Sequence, residues 1–247
     1  MPKNILLFII SFFLNNLLLC QKEVVEILSA NELKPGKTDN HQKLIGNVGL
    51  KYEDAKLYCD SAEVNGKTND FKAWGEVYIN QPGNLKAWGD SLIYNGTNGL
   101  GRLYGDVKMK SENSLIKTTL LYFDKNKELV YYLNGANTTQ EDSEIYSKKG
   151  FYATSNKYLK LKDSVKVENP EYTIESDTLE YSTSSKTSYF LGPTFIKLEK
   201  EEIYCESGFY NRTLEIGQFE DNAVLKQDKQ SLLADSIYFE KKQCKFN

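Results

Sequence analysis

Histidine, methionine, tryptophan and proline are scarce in this chain of 247 residues, which has one His, two Met, two Trp and five Pro. The single histidine, His41, stands in the leader of the first repeat described below, where an ordinary surface residue is expected. Hydrolytic systems that need a histidine base are therefore disfavoured, and we assign no catalytic residue. The 17 Tyr and 12 Phe, set against so few Met and Pro, favour β-strands over helices.

An excess of positive charge is also lacking. The chain has 31 Lys and Arg against 34 Asp and Glu, so its formal net charge is −3. No cluster of basic residues on one face is visible in the sequence, and we therefore expect no nucleic-acid partner. Cysteines are few as well: if the first twenty residues are removed, three of the four remain, and three cannot all pair.

The N-terminal segment predicts export. Lys3 precedes an apolar run from Ile5 to Leu19, which is too short to span a bilayer comfortably and is followed by the polar residues after Cys20. We therefore expect a signal peptide over residues 1–20, an N-terminal strand and linker over 21–40, a repeat domain over 41–240 and a polar tail over 241–247.

Seven degenerate units of about 29 residues fill the repeat domain. A first anchor column is mostly glycine, and the positions two before, two after and four after it are mostly apolar. These positions share one face of a strand, and glycine there permits a bend. The first anchor column comprises Gly46, Gly75, Gly105, Gly135, Asp163, Gly192 and Asp221.

A second anchor column is mostly acidic, and the apolar phase changes from odd to even offsets across it. Such a change needs a bulge or corner. Stacking of the units then buries their apolar faces, as in other repeat proteins. Unit four is the weakest match, because Asn137 and Thr139 replace branched aliphatics. The second column comprises Asp60, Asp90, Thr118, Lys148, Asp177, Glu206 and Asp235.

The acidic column has two interpretations. Carboxylates laddered on a sheet can cleave glycosidic bonds or hold calcium, and an enzyme would need one or two of Asp60, Asp90 and Asp177 in an open cleft. Recurrence in most units favours a structural corner instead, so we expect neither a metal nor a cofactor. Trp74 and Trp88 could stack on sugars, but their repeat positions favour packing.

Cys59 and Cys205 occupy the same column position, one residue before the acidic anchor. In a stack they would lie five units apart, too far for a disulfide, whose α-carbons must approach within about 7 Å. We expect two small buried thiols.

The repeated pattern resembles a known family. Unit two carries it best, with Gly75, Val77 and Ile79 followed after a turn by Leu85, Gly89, Asp90, Leu92 and Tyr94. Units three and five repeat it more weakly. This pattern resembles the OstA-like periplasmic domain shared by the lipopolysaccharide-transport proteins LptA, LptC and the N-terminal part of LptD, and the resemblance covers roughly residues 41–240.

The resemblance implies an all-β, elongated β-jellyroll of stacked antiparallel strands, with two sheets facing across an apolar groove. It implies a non-enzymatic periplasmic protein of outer-membrane assembly, whose groove shields the acyl chains of lipopolysaccharide and lipid A. Other OstA-like components, or further copies of the chain joined head to tail, would bind through edge strands. Candidate groove residues are Val77, Ile79, Leu92, Tyr94, Val107, Met109, Leu120 and Tyr122.

A second interpretation remains open. A surface or scaffold β-solenoid would use the same repeats to present a flank to a protein or glycan, around an interior that is fully packed. The two interpretations differ in whether the apolar interior is accessible.

Overall fold

The computed structural model describes residues 24–240, which form strands and turns. The predicted signal peptide and the predicted polar tail lie outside this range. None of the described residues belongs to a helix that could span a membrane. The all-β fold class is confirmed. The strands are β1 (Glu26–Ser29), β2 (Glu32–Pro35), β3 (His41–Tyr52), β4 (Ala55–Asn65), β5 (Asp70–Gln81), β6 (Leu85–Asn95), β7 (Leu100–Lys110), β8 (Ser114–Asp124), β9 (Leu129–Tyr132), β10 (Ala136–Gln140), β11 (Ser143–Ser147), β12 (Lys149–Ala153), β13 (Tyr158–Asn169), β14 (Tyr172–Ser182), β15 (Thr187–Leu198), β16 (Glu201–Asn211), β17 (Ile216–Gln227) and β18 (Gln230–Glu240).

All the strands join one antiparallel sheet of 18 strands. From β3 onward the chain runs as successive hairpins, so each repeat unit contributes an outgoing and a returning strand. The segment predicted as an N-terminal strand and linker supplies β1 and β2, which both pair with β3 at the start of the stack. At the other end, the described part of β18 pairs with β17.

A bulge bends most of the long strands near their middle. Pairing between β5 and β6 is interrupted from Trp74 to Val77, and Gly75 there has a φ of 76°. The same interruption recurs at Gly46, Gly105, Asp163, Gly192 and Asp221, all with positive φ. At most of these points the opposing strand skips an acidic residue; β4, for example, skips Asp60 in its pairing with β3. The predicted change of apolar phase at a corner is therefore confirmed.

The two anchor columns meet at this corner. A Cβ atom added to Gly75 would lie 2.1 Å from Oδ2 of Asp60, and one added to Gly105 would lie 2.0 Å from Oδ2 of Asp90. Each carboxylate thus occupies the space that a side chain at the next unit's glycine would need. This contact explains why glycine and aspartate recur together at a fixed spacing.

The bulges divide the sheet into two limbs that face each other. The first limb carries Leu44 and Leu103, and the second limb carries Val48 and Val107, all of which are buried. Tyr52 of the second limb and Tyr94 of the first limb lie on non-adjacent strands, yet their rings are 5.5 Å apart across the interior. The elongated β-jellyroll is confirmed, with the facing layers formed by two limbs of one sheet.

Unit four, the weakest match to the repeat, forms a distorted layer, since its strands are broken into β9 with β10 and β11 with β12. Its predicted register, however, is wrong by one residue. The inward positions are Ala136 and Thr138 instead of Asn137 and Thr139, because Ala136 pairs with Thr118. A shift of one residue moves every side chain to the opposite face of a strand.

The anchors of this unit shift accordingly. Asn134 takes the first-anchor position, and Gly135, with a φ of 90°, takes the second residue of the bulge. The residue that β8 skips opposite β7 is Thr119, not Thr118. With these assignments, spacings of 29 residues replace the irregular ones around unit four.

Hairpin turns form the free rims of both limbs, which we call lips. On the first lip, asparagine side chains accept hydrogen bonds from their own turns, as Asn95 Oδ1 does from the amides of Thr97 and Asn98. Backbone bonds also join successive turns: the amide of Thr154 donates to Glu128 O at 2.9 Å, and that of Arg212 to Lys186 O at 3.0 Å. Each layer is therefore fastened to the next along this lip.

Replacing Gly75 by alanine tests the corner. Both Gly75 and Gly83 have positive φ, which costs about 1–2 kcal/mol for a residue with a side chain. Only at Gly75 would the new methyl group also meet Asp60, whereas nothing lies within 4 Å at Gly83. We expect urea titration to show a clearly larger loss of unfolding free energy for Gly75→Ala than for Gly83→Ala. Equal losses would contradict the Asp–Gly contact.

Candidate functional site: an apolar trough and its mouth

The space between the limbs is packed tightly beside the corner. Of the predicted groove residues, Val77, Leu92 and Val107 are 1%, 2% and 0% exposed. They belong to one buried cluster that extends from Val25 to Ala136. A second cluster, from Leu161 to Ala223, fills the interior of the later units.

Toward the lips, the interior changes along the stack. In the early units the lip-side positions of the first limb hold Val64, Phe71 and Tyr94, which are buried. From β8 onward the equivalent positions are half-buried, for example Phe123 and Leu159. The interior is therefore closed over in the early units and partly accessible in the later ones. We call this later, accessible part the trough.

Among the other predicted groove residues, Tyr94 lies in the closed part, where its ring approaches those of Phe71 at 5.1 Å and Phe123 at 5.9 Å. Ile79 and Met109 are half-buried at the second lip and pack against the first cluster. Both therefore face the interior near its opening.

The interior positions predicted for Leu120 and Tyr122 are wrong. Leu121 pairs with the buried Leu103, so Leu121 and Phe123 face inward. The ring of Tyr122 instead stacks at 4.9 Å on Tyr131 on the outer face of the sheet. The cause is the second anchor of unit three, which lies at Thr119 instead of Thr118, because a shift of one residue reverses the facing of both side chains.

Several residues of the trough did not figure among the candidates. They are apolar, half-buried and packed against the second cluster, and they lie on both limbs. The column positions could have identified them, because they continue the same apolar columns through units five to seven. They include Leu159, Ile174, Leu198, Ile203 and Tyr210.

Two ion pairs cross the mouth between the lips. Lys125 on the first lip pairs with Glu53 on the second lip and lies over the ring of Tyr52. Arg212 on the first lip likewise pairs with Glu141 on the second lip, at 3.2 Å. We call these two pairs the clasps. They are partly to largely exposed, and such pairs each contribute about 1 kcal/mol or less.

One hydroxyl in the closed part has no partner. The Tyr94 hydroxyl is buried and makes no hydrogen bond of regular geometry within the described residues, with Tyr52 as its polar neighbour. Burial raises the pKa of Tyr94, with the neighbouring Tyr52 adding to the effect. By contrast, the buried hydroxyl of Tyr132 bonds to Ser147 Oγ at 2.7 Å. An unpaired hydroxyl between aromatic rings is a polar point in an otherwise apolar interior.

The last described strand leaves the end of the interior uncovered. Its inward side chains Leu232 and Phe239 are 53% and 44% exposed, and its outward Leu233 and Tyr238 are also exposed. The start of the stack differs, since β1 and β2 cover β3 and Val25 is buried there. The two ends of the described stack are therefore chemically different.

The free cysteines and the carboxylates of the acidic column are the polar groups that the sequence singled out for possible chemistry. Cys59 and Cys205 are buried free thiols, as predicted. Burial raises the pKa of Cys59 to about 11 and that of Cys205 to about 12, so neither is a thiolate near neutral pH. No group of three potential metal-ligating side chains occurs in this part of the chain. Asp60 and Asp90 lie against corner glycines instead.

The expectation that basic residues do not cluster is wrong. On the outer face of the second limb, Lys86 pairs directly with Lys110, and Lys108 pairs with Lys117. These residues are dispersed in the sequence and meet only because neighbouring strands bring them into register.

Replacement of the two buried tyrosines by phenylalanine tests the account of the interior. Tyr94→Phe removes an unpaired hydroxyl, so we expect the unfolding free energy to stay constant or to rise by up to about 1 kcal/mol. Tyr132→Phe removes a formed hydrogen bond, and we expect a loss of about 1 kcal/mol. Paired denaturant titrations measure both. A substantial loss for Tyr94→Phe would show that its hydroxyl has a partner.

A search of curated proteins finds no significant match. Among solved structures, the fold is similar to LptH from Pseudomonas aeruginosa, described as the LptA homologous periplasmic component of the conserved lipopolysaccharide transport device. That match has a TM-score of 0.37 and 21% identity, and covers 41% of this chain and 80% of LptH. The family described as OstA-like protein matches residues 22–177, more than half of the chain. The chain therefore belongs to the OstA-like protein family.

Proposed function

We propose that this protein is a periplasmic lipopolysaccharide-binding and bridging protein of outer-membrane assembly. In this proposal residues 1–20 direct export, and the space between the limbs shields acyl chains from water. The protein acts by binding and transfer, without catalysis. The OstA-like family, together with the resemblance in the repeat motif, indicates lipopolysaccharide as the occupant.

One observation carries the proposal: the apolar interior is graded from closed to accessible along the stack. Leu159, Ile174 and Ile203 line the accessible part and pack only partly against the second cluster. Acyl chains would complete the burial of these side chains, and each buried methylene contributes about 0.8 kcal/mol. The trough in units five to seven is thus the best candidate for acyl contact, with Ile79 and Met109 at the lip of the closed part.

The clasps suggest how chains enter. Both clasps join turns on opposite lips, and neither is buried deeply enough to hold the limbs firmly. Separation of the lips would widen the interior without breaking the backbone ladder along either limb. Tyr94, whose hydroxyl is unpaired, would then be exposed to a polar atom of an entering lipid.

The uncovered end supports a bridging role. Leu232 and Phe239 extend the interior surface to the last described strand, where no other residue between 24 and 240 covers them. A partner strand paired with β18 would continue both the sheet and the apolar interior. In this proposal the partner strand comes from another OstA-like component, or from the β1 and β2 end of a further copy of this chain joined head to tail.

A scaffold function is the second candidate. The tight packing of Val77, Leu92 and Val107 favours it, because a fully packed interior has no space for lipid. A scaffold would bind protein or glycan through its outer faces alone. The two functions differ in whether the trough contacts lipid.

Photo-crosslinking separates them. A photoreactive residue replacing the inward Ile203 or Tyr210 should capture lipopolysaccharide in the periplasm, because both side chains are half-buried in the trough. The adjacent outward residues Glu202 and Phe209 are matched controls. Capture confined to inward positions supports transport. Folded protein with no capture at Ile203 and Tyr210 would contradict it.

Neutralising both clasps tests entry through the mouth. We expect Glu53→Gln with Glu141→Gln to accelerate uptake of fluorescent lipopolysaccharide by up to about thirtyfold, since the two exposed ion pairs together contribute about 2 kcal/mol or less. Stopped-flow fluorescence measures the rate.

The control variant is Glu112→Gln with Glu199→Gln, which removes two exposed carboxylates from turns of the same lip. Higher salt should accelerate uptake by the unmodified protein, because salt screens exposed ion pairs. Equal rates in the two double variants would exclude a gating role for the clasps.

A further inference from the structure

Lysines face lysines across three pairs of neighbouring strands on the outer face of the second limb. Lys51 pairs with Lys56, Lys86 with Lys110, and Lys108 with Lys117. Leu57 and Ala87, which directly follow Lys56 and Lys86, are buried and face the interior. Since successive side chains of a strand alternate between its two faces, the lysines point outward. We call these six residues the lysine cluster.

This arrangement opposes folding, because like charges directly opposite each other destabilise a sheet. Lys51 lies 3.8 Å from Glu26 and Lys108 lies 2.7 Å from Asp106. The other four lysines form no ion pair with any residue between 24 and 240. These four are Lys56, Lys86, Lys110 and Lys117.

Other parts of the sheet avoid the same problem. On the outer face of the first limb, Glu63 stands between Lys43 and Lys72, so the charges alternate. Where Lys149 faces Lys162, Asp163 pairs with Lys149 at 2.7 Å. The lysine cluster is therefore a local departure from charge balance, which a bound anion would relieve.

An aromatic strip adjoins the lysine cluster on the same face. The rings of Tyr58 and Tyr78 are 6.1 Å apart, those of Tyr78 and Trp88 are 5.4 Å apart, and both pairs are nearly parallel. Trp88 pairs directly with Lys108. Tyr78 and Trp88 are half-buried and lie within the surface, so the strip suits a ligand that lies flat more than a bilayer that the side chains would penetrate.

The lysine cluster also borders the mouth of the interior. Lys51 and Lys56 flank the turn at 53–54 on the second lip, and Lys86 follows the turn at 82–84. Beyond the strip, away from the lip, Asp60 and Asp90 lie against the corner glycines. Positive charge is therefore concentrated on the outer side of the lip, next to the Glu53 clasp.

We propose that the lysine cluster and the aromatic strip bind a phosphate-bearing saccharide, the polar head of an amphiphile whose acyl chains enter between the limbs. The identity of this amphiphile rests on the proposed function. Compact ammonium groups suit phosphate oxygens, and the apolar C–H faces of sugar rings suit the electron-rich aromatic surface. A head group bound here would lie outside the lip beside the Glu53 clasp, and its chains would pass inside once the lips separate at that clasp.

The test uses the full protein and lipopolysaccharide from which all acyl chains have been removed, measured by calorimetry. Wild-type protein should bind this phosphorylated oligosaccharide, and its dephosphorylated form should bind much more weakly. We expect Lys56→Gln, Lys86→Gln and Lys110→Gln together to weaken binding by about tenfold or more. Their folding stability should be unchanged or higher, since repulsion is removed.

The matched control is Lys43→Gln, Lys72→Gln and Lys229→Gln, which removes the same charge from exposed lysines elsewhere and should bind as the wild type does. Equal weakening in both triple variants, no binding by wild-type protein, or equal binding of the dephosphorylated form would overturn the proposal. Tighter binding of single-stranded DNA or anionic vesicles at the lysine cluster would overturn the assigned ligand. Crosslinking from the trough tests acyl contact separately, so failure of one proposal leaves the other measurable.

Discussion

The bend at the middle of each long strand is the constraint on which the rest of the structure depends. At the bulges of β3 and β5, two successive residues adopt positive φ, as Gly75 and Glu76 do, and the opposing strand skips its acidic residue. The bends turn one sheet into two facing limbs and reverse the apolar phase, so that both limbs present their apolar side chains to the same interior. Without the bulges the same strands would form a flat sheet with one uncovered face.

The corner geometry recurs along the stack, but the interior is not closed to the same extent in every unit. In the early units Phe71 and Tyr94 close the interior, whereas Leu159 and Tyr210 leave it partly accessible in the later units. The polar contact between Tyr132 and Ser147 lies between the two apolar clusters. In the proposed function, the closed part lets the protein fold without lipid and the accessible part receives it.

Much of this was predictable from the sequence, because anchor spacing and apolar alternation report directly on strand facing. The anchors of units one, two and five to seven fall at the observed corners. The predicted register of unit four is wrong because Gly135 resembles the glycine of the first anchor column, although Asn134 occupies the equivalent position. The second anchor of unit three was likewise placed one residue early, at Thr118 instead of Thr119, and this offset put Leu120 and Tyr122 on the wrong face.

Contacts between limbs and between distant strands could not be predicted in this way. The clasp of Arg212 with Glu141 joins residues 71 positions apart, and its existence depends on how the limbs cross. The lysine cluster depends on register, which a column alignment of whole units does not give. Both features lie on surfaces where the residues differ from one repeat unit to the next. The apolar periodicity of the repeats therefore does not indicate them.

The central claim is that lipid occupies the space between the limbs. Methyl NMR of isoleucine-labelled protein during titration with lipopolysaccharide tests it most directly, because Ile174 and Ile203 face the trough and Ile93 is 40% exposed on the outer face. The account predicts saturable shifts of the Ile174 and Ile203 methyl signals while Ile93 changes little. Unchanged Ile174 and Ile203 signals at saturating lipid would contradict it.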